Sequence, residues 1–262
     1  MRIRFFKNFL CFLFAFLPKQ KFDLAMTTTI TEILQELQSM GSEQTKKTLL
    51  RHGAREPFFG VKVGDMKKIV KRVKKNHELS LALYDTGNGD AMYLAGLIAD
   101  EKKITKQDLQ HWAEKAPWYM ISEYTVAWVA SESPYGWELG LEWIESEKEN
   151  IASAGWSTLA SWVTIRPDNE LDLKKLEQLL DRVGKTLHAA PNRVRYVMNG
   201  FVIASGASVV PLAEKAIETA KKVGEVHVDM GGTACQVPAA VAYIQKVHDA
   251  GRLGHKKKMA RC

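Results

Sequence analysis

The chain has 262 residues, 46% hydrophobic and 26% charged, and a formal net charge of +7. It is long enough for one large domain or two small ones, with the composition of a soluble globular protein. The charge excludes a basic body: Arg2, Arg4, Lys7, Lys19 and Lys21 near the start, and Arg252, Lys256, Lys257, Lys258 and Arg261 at the end, outweigh the whole excess. Attraction to a polyanion must therefore come from local patches or from the tail. Three cysteines, Cys11, Cys235 and Cys262, form no CxxC and no Cys/His cluster. That excludes a disulfide framework, gives no support for a metal site, and fits a reduced, cytoplasmic setting.

Residues 1–25 place two arginines and a lysine before an apolar run, Phe9 to Leu17, ended by Pro18. They read as an export signal or as an upstream extension of the reading frame starting at Met26, in either case outside the fold. The run is too short to span a bilayer. From Thr27 the pattern is one helix after another. Ile30, Ile33, Leu34 and Leu37 keep helical spacing to Gly41, and a short helix over Glu43–Leu50 follows. Pro57, Gly60 and Gly64 then turn the chain.

Asp65 opens a helix over Met66–Lys75 with Met66, Ile69, Val70 and Val73 on one face. The other face holds Lys67, Lys68, Lys71, Arg72, Lys74 and Lys75 and no acid. Like charges at i, i+4 repel, so this face is either solvated or turned to phosphates, with Lys67, Lys71 and Lys74 as the candidates. Asp90–Ala99 is apolar all round and predicts a helix buried between others. Helices are predicted over Lys106–Glu114, Tyr119–Ala130, Tyr135–Ser146 and Asn150–Val163. The next is capped by Asp168 or Asn169 and closed at Gly184. A further helix opens at Pro191, one covers Ser208–Val223, and a last runs from Pro238 to Ala250. Only Val226–Val228 reads as a possible strand. Paired helices recurring every 35 to 45 residues or so imply an all-α chain, an α-solenoid of HEAT-like repeats over residues 26–251. The basic tail, 252–262, is expected to be disordered and to add nonspecific attraction to DNA.

All seven tryptophans lie between Trp112 and Trp162. Trp128, Trp143 and Trp162 read as core. Trp118 follows Pro117, and Trp156 stands between Gly155 and Ser157, so both have room to face a ligand. Arg193, Arg195 and Asn199 share the polar side of their helix and suit phosphate or base-edge contacts. His227, Asp229 and Cys235 match no metal spacing and read as a Gly-rich turn before the last helix.

The run Phe59-Gly60-Val61-Lys62-Val63-Gly64-Asp65-Met66-Lys67-Lys68-Ile69, the Asp90–Ala99 helix, Trp118 after its proline, and Asn199-Gly200-Phe201-Val202-Ile203 resemble the DNA alkylation repair family, which includes the AlkD-like alkylpurine DNA glycosylases. The resemblance implies a C-shaped stack of HEAT-like helix pairs with duplex DNA on a basic concave face, as a cytoplasmic protein of base excision repair. It implies no cofactor and no membrane, and a monomer. It also implies that aromatic side chains at Trp118 and at Phe201 contact the damaged nucleotide. The glycosylase branch follows its tryptophan, four residues later, with a catalytic aspartate, where this chain has Ser122. The region of its DNA-contacting arginine is here Ala154–Thr158, with no arginine and Ser157 at that position. A carboxylate stabilises the oxocarbenium-like sugar left by base loss, and a serine offers only a dipole. Glu123 is adjacent but lies ~100° around an α-helix from Ser122, so it substitutes only if the helix register differs.

Three readings follow: a DNA-binding member of the family with glycosylase activity in question, a noncatalytic binder of nucleic-acid shape, and a protein-binding solenoid. The DNA readings require Lys67, Lys71, Lys74, Arg193 and Arg195 to share one concave surface with Trp118 and Trp156.

Overall fold

The computed structural model describes the backbone of residues 17–261 and the side chains from residue 29 onward. The apolar run beginning at Phe9 lies outside the described side chains. Among the described residues the apolar stripes become thirteen α-helices and no strand. The first six are α1 (Leu17–Met40), α2 (Glu43–Arg51), α3 (Val63–Val73), α4 (His77–Asp85), α5 (Gly89–Ile98) and α6 (Lys106–Lys115). A π-helical segment, Met120–Val126, runs directly into α7 (Ala127–Glu132). Then come α8 (Gly136–Trp143), α9 (Glu149–Ile165), α10 (Leu173–Thr186), α11 (Asn192–Ser208), α12 (Ala213–Val223) and α13 (Ala240–Asp249).

Helices α5, the π segment with α7, α9, α11 and α13 touch in that order and make one layer, backed by α4, α6, α8, α10 and α12. This two-layer stacking of sequential helix pairs is the expected α-solenoid. Two buried clusters share the core. One centres on Met66, Leu94 and Trp112, the other on Trp156, Leu180 and Phe201. Tyr84 stacks on Trp112 with ring centroids 4.2 Å apart, and its hydroxyl donates to the Trp112 carbonyl at 2.6 Å. The polar handle is satisfied as the ring is buried.

The Phe59–Val61 turn is held by one carboxylate. Asp90, buried at the start of α5, accepts from the backbone N–H groups of Phe59 (2.6 Å), Gly60 (3.0 Å) and Val61 (3.2 Å). Gly60 has φ +80°, and a Cβ there would lie 2.7 Å from the Lys46 nitrogen. Only glycine fits so close an approach in that conformation.

Element ends depart from expectation where a cap decides them. Helix α1 starts at Leu17, well before Thr27. Helix α3 stops at Val73, because Lys74 turns to φ 58°. Asp172 rather than Asp168 or Asn169 caps α10, accepting from the Lys175 N–H, and α10 runs past Gly184 to Thr186. Thr105 and Asp108 form a full capping box on α6. Thr105→Ala is expected to lower stability by about 1 kcal/mol, measured by urea denaturation.

The basic tail is not free, and the folded body extends beyond residue 251. The Gly254 N–H donates to the Ala207 carbonyl, the Lys257 N–H to Thr164 and Lys256 Nζ to Val163. Arg261 donates to the carbonyls of Gly96 and Ala99 and pairs with Glu101 and Glu132. The tail therefore crosses the C-terminal ends of α11, α9, α7 and α5. Those ends present unpaired carbonyls and partial negative charge, which lysine and arginine complement.

Candidate nucleic-acid interface

The opposite ends of the same layer form a cavity of about 600 Å³. Trp118 and Tyr119 come from the approach to the π segment, Ser122 and Glu123 from the segment itself, Glu149, Asn150 and Ser153 from α9, and Arg193 from α11. Arg51, His52 and Arg55, at the end of α2 and just beyond it, form one lip, and Asp229, Met230 and Gly231 form the other. The lips come from opposite ends of the chain. Gly231 sits so close to the Arg51 carbonyl that a Cβ would lie 2.6 Å from it. Asn192 holds the second lip, donating to the Asp229 carbonyl and accepting from the Asp229 N–H, both at 2.8 Å.

Arg193 is the centre of the cavity. Its guanidinium lies between the rings of Tyr119 (4.1 Å) and Tyr196 (4.4 Å). It donates through Nε to Glu123 Oε1 at 2.8 Å and through Nη2 to Oε2. Its backbone N–H donates to Glu149 at 2.7 Å. The Glu123 side chain is only 2% exposed. Burial pushes its carboxyl up to about 7, against the hydrogen bonds and charge of Arg193 that favour ionisation. Burial also opposes the charge on Arg193, but the Glu123 carboxylate outweighs it and its pKa is raised. Burial raises Tyr119 and Tyr196 as well, which keeps both phenols neutral. The Tyr119 hydroxyl meets His52 Nδ1 at 3.2 Å.

The π segment explains how Glu123 enters. In an α-helix it would point well away from Ser122. The wider π turn alters the register, and both residues line the cavity. Glu123 reaches the cavity with both oxygens held by Arg193. Ser122, at the aspartate position, is buried, and its hydroxyl lies 3.5 Å from the carbonyls of Trp118 and Tyr119. The other carboxylates that line the cavity are Glu114, Glu149 and Asp229, and Glu149 accepts the Arg193 backbone N–H.

Several expectations are corrected. Trp156 is 1% exposed and faces Phe201 edge-on at 5.3 Å, so neither ring is open to a nucleotide. The reason is Gly155. A Cβ there would lie 2.7 Å from the Ile144 nitrogen, so the small residue admits the α8 backbone rather than exposing its neighbour. The aromatic that α11 places against the Arg193 guanidinium is Tyr196. Ser157 lies one turn beyond Ser153, which is the α9 serine lining the cavity. Asn199 is buried and donates to the Pro238 carbonyl at 2.9 Å, fixing the approach to α13. Arg195 is half-buried and donates to Asn192 at 3.3 Å. Trp128 and Trp143 are core, whereas Trp162 is half-buried beneath the Arg166 guanidinium at 4.3 Å.

Lys67, Lys71 and Lys74 are exposed on α3 and do not line the Trp118 cavity. Lys67 faces a separate hollow beside the tail. The required single surface for all the basic candidates is therefore not formed. The cations that accompany Trp118 are Arg51, Arg55 and Arg193. Sequence offered one clue to the missed residues: Arg193 and Tyr196 are three apart on one helix face. Nothing local linked Arg193 to Glu123 or Asp229 to Asn192.

A family model described as "DNA alkylation repair enzyme" matches residues 33–261. An uncharacterised Listeria innocua protein, Lin0241, is 36% identical over 227 residues, 84% of this chain and 98% of its own length. Lmo0209 of Listeria monocytogenes, also uncharacterised, matches to the same extent. A solved structure described as "A new family of proteins related to the HEAT-like repeat DNA glycosylases with affinity for branched DNA structures" superposes with a TM-score of 0.82 at 43% identity, covering 89% of this chain and 99% of the other. With this agreement in sequence and HEAT-like architecture, the chain belongs to the DNA alkylation repair enzyme family.

Proposed function

We propose that the protein binds branched DNA without excising bases, holding a duplex arm at the Arg51–Arg55–Arg193 cavity. The observation that carries this is the Glu123–Arg193 pair. The carboxylate nearest the position used for base excision is buried and neutralised, and Ser122 cannot stabilise an oxocarbenium-like sugar. The aromatic and cationic parts of a nucleotide-contacting surface remain, in Trp118, Tyr119, Arg51 and Arg55. The structural relative's affinity for branched DNA favours a junction over a plain duplex as the ligand.

The test is release of methylated purine from duplex DNA, alongside binding to a four-way junction and to a linear duplex of equal length at several salt concentrations. Junction binding that weakens linearly in log salt, with no purine released, is the expected result. Purine release, or no binding to either DNA, defeats the proposal.

A further inference from the structure

The tail and α3 enclose a hollow of about 490 Å³ at the C-terminal ends of α5, α7 and α9. Five cations and two carboxylates line it. Arg261 is taken up by Glu101 and Glu132, and Lys75 by Glu101. Lys67, Arg166 and Lys258 form no ion pair among the described residues, although all three face one space. The Arg166 guanidinium is stacked on Trp162, and its buried Nε has no hydrogen-bond partner. Three unpaired cations around one hollow repel one another, and fixing an arginine against a ring removes freedom it would keep in solvent. Both features suit an anionic ligand that supplies several negative charges.

A small pocket between the two edges shares Val63, at the start of α3, with the hollow and Trp118 with the Arg193 cavity. Helix α3 then carries Lys67, Lys68 and Lys71 along its exposed side. The 17 residues of α9 separate the two edges by roughly 25 Å. That exceeds the reach of a single phosphate contact and matches the scale of two neighbouring arms of a junction.

We infer that this hollow is a second DNA-binding site, in which Lys67, Arg166 and Lys258 hold the phosphates of a second arm while the Arg193 cavity holds the first. The inference rests on the DNA-binding proposal above. Affinity for branches then arises geometrically: a linear duplex engages one edge of the helix layer, and a junction engages both. Two linked contacts raise affinity without any new chemistry at either.

The test uses the full chain and the double variant Lys67→Ala/Lys258→Ala, in fluorescence-anisotropy titrations with a four-way junction and a linear duplex of equal length. Both lysines are exposed and unpaired, so the fold does not depend on them. The expected result is junction binding weakened by about tenfold or more, a salt slope shallower by about 2 on the junction, and duplex binding within about twofold of the wild type. Equal loss on both DNAs overturns the second-arm assignment, and no loss on either overturns the site itself. Should the wild type bind neither DNA, the DNA-binding proposal fails first and the hollow with it. An acidic peptide that competes for the hollow, with the junction unaffected by the double variant, assigns the site to a protein partner instead.

Discussion

Replacing Arg193 with methionine is expected to cost about 3–5 kcal/mol at pH 8.5, the range for breaking one side of a buried ion pair, and about 1–2 kcal/mol at pH 5.5, where only hydrogen bonds and ring contacts are lost. The sign follows from Glu123. Its folded pKa, about 7, lies above the ordinary 4.5 because burial penalises the charge. Between those values the folded protein holds a proton that the unfolded chain has released, so this group's contribution falls as pH rises through the window. Arg193 limits that fall by favouring the carboxylate. Without it the carboxyl must take a proton or remain a buried, unpaired charge, and the penalty appears above pH 7. Urea denaturation of both proteins at the two pH values checks this. An equal cost at both would mean that the pair is not where Glu123 titrates.

The same substitution separates two roles for Arg193. Two tyrosines hold the guanidinium in place and Glu123 neutralises it, so its net charge is largely spent inside the protein. Arg51 and Arg55 are exposed at the lip and keep their charge for a ligand. Arg51→Ala/Arg55→Ala should therefore weaken DNA binding and flatten its salt dependence while leaving the urea midpoint nearly unchanged, because both side chains are solvated. A large stability loss with unchanged binding would reverse this division of labour.

Helical periodicity made the solenoid readable, because stripes such as Leu176, Leu179, Leu180 and Val183 state their buried face directly and all four are buried. The absence of an aspartate at residue 122 was equally plain. What local sequence could not show was which small residue exposes a neighbour and which admits a backbone. Gly155 looked like space around Trp156 and proved to be the seat of α8. Nor could helical geometry alone anticipate a π turn at Met120–Val126, in a segment whose Ser122 and Glu123 both line the cavity. The tail misled for a related reason. Lysines and arginines without acids in their own segment look solvated, yet Lys256 finds Asp168 and Arg261 finds Glu101 and Glu132, all far away in the chain. Charge pairing across a fold depends on topology, and periodicity carries none of it.

Arg261→Ala is expected to destabilise the protein by about 3–5 kcal/mol and to release the tail. The side chain is 7% exposed and gathers the ends of two inner helices. It joins Glu132 at the end of α7 to the Gly96 and Ala99 carbonyls in the last turn and cap of α5, with Glu101 just beyond. Glu132 also accepts the backbone N–H groups of Ala260 (2.7 Å) and Arg261 (3.1 Å), so the carboxylate and the tail hold each other. Removing the guanidinium leaves two largely buried carboxylates facing each other and two carbonyls without donors. Burial raises the Glu101 carboxyl, but Lys75 and Arg261 outweigh it and hold the pKa below the ordinary value. Its stabilisation is thus present above the ordinary carboxylate range and lost as pH falls through the folded value. The wild type should lose more stability on acidification than the variant, and the two curves should converge at low pH. Adding Glu132→Gln to the Arg261→Ala chain removes one uncompensated charge and should recover part of the loss, a coupling that a double-mutant cycle reads directly. Limited proteolysis should cut the variant within residues 252–261 while sparing the wild type. Because Lys258 and Met259 line the hollow beside α3, junction binding should weaken in the same variant, in proportion to the fraction of tail released.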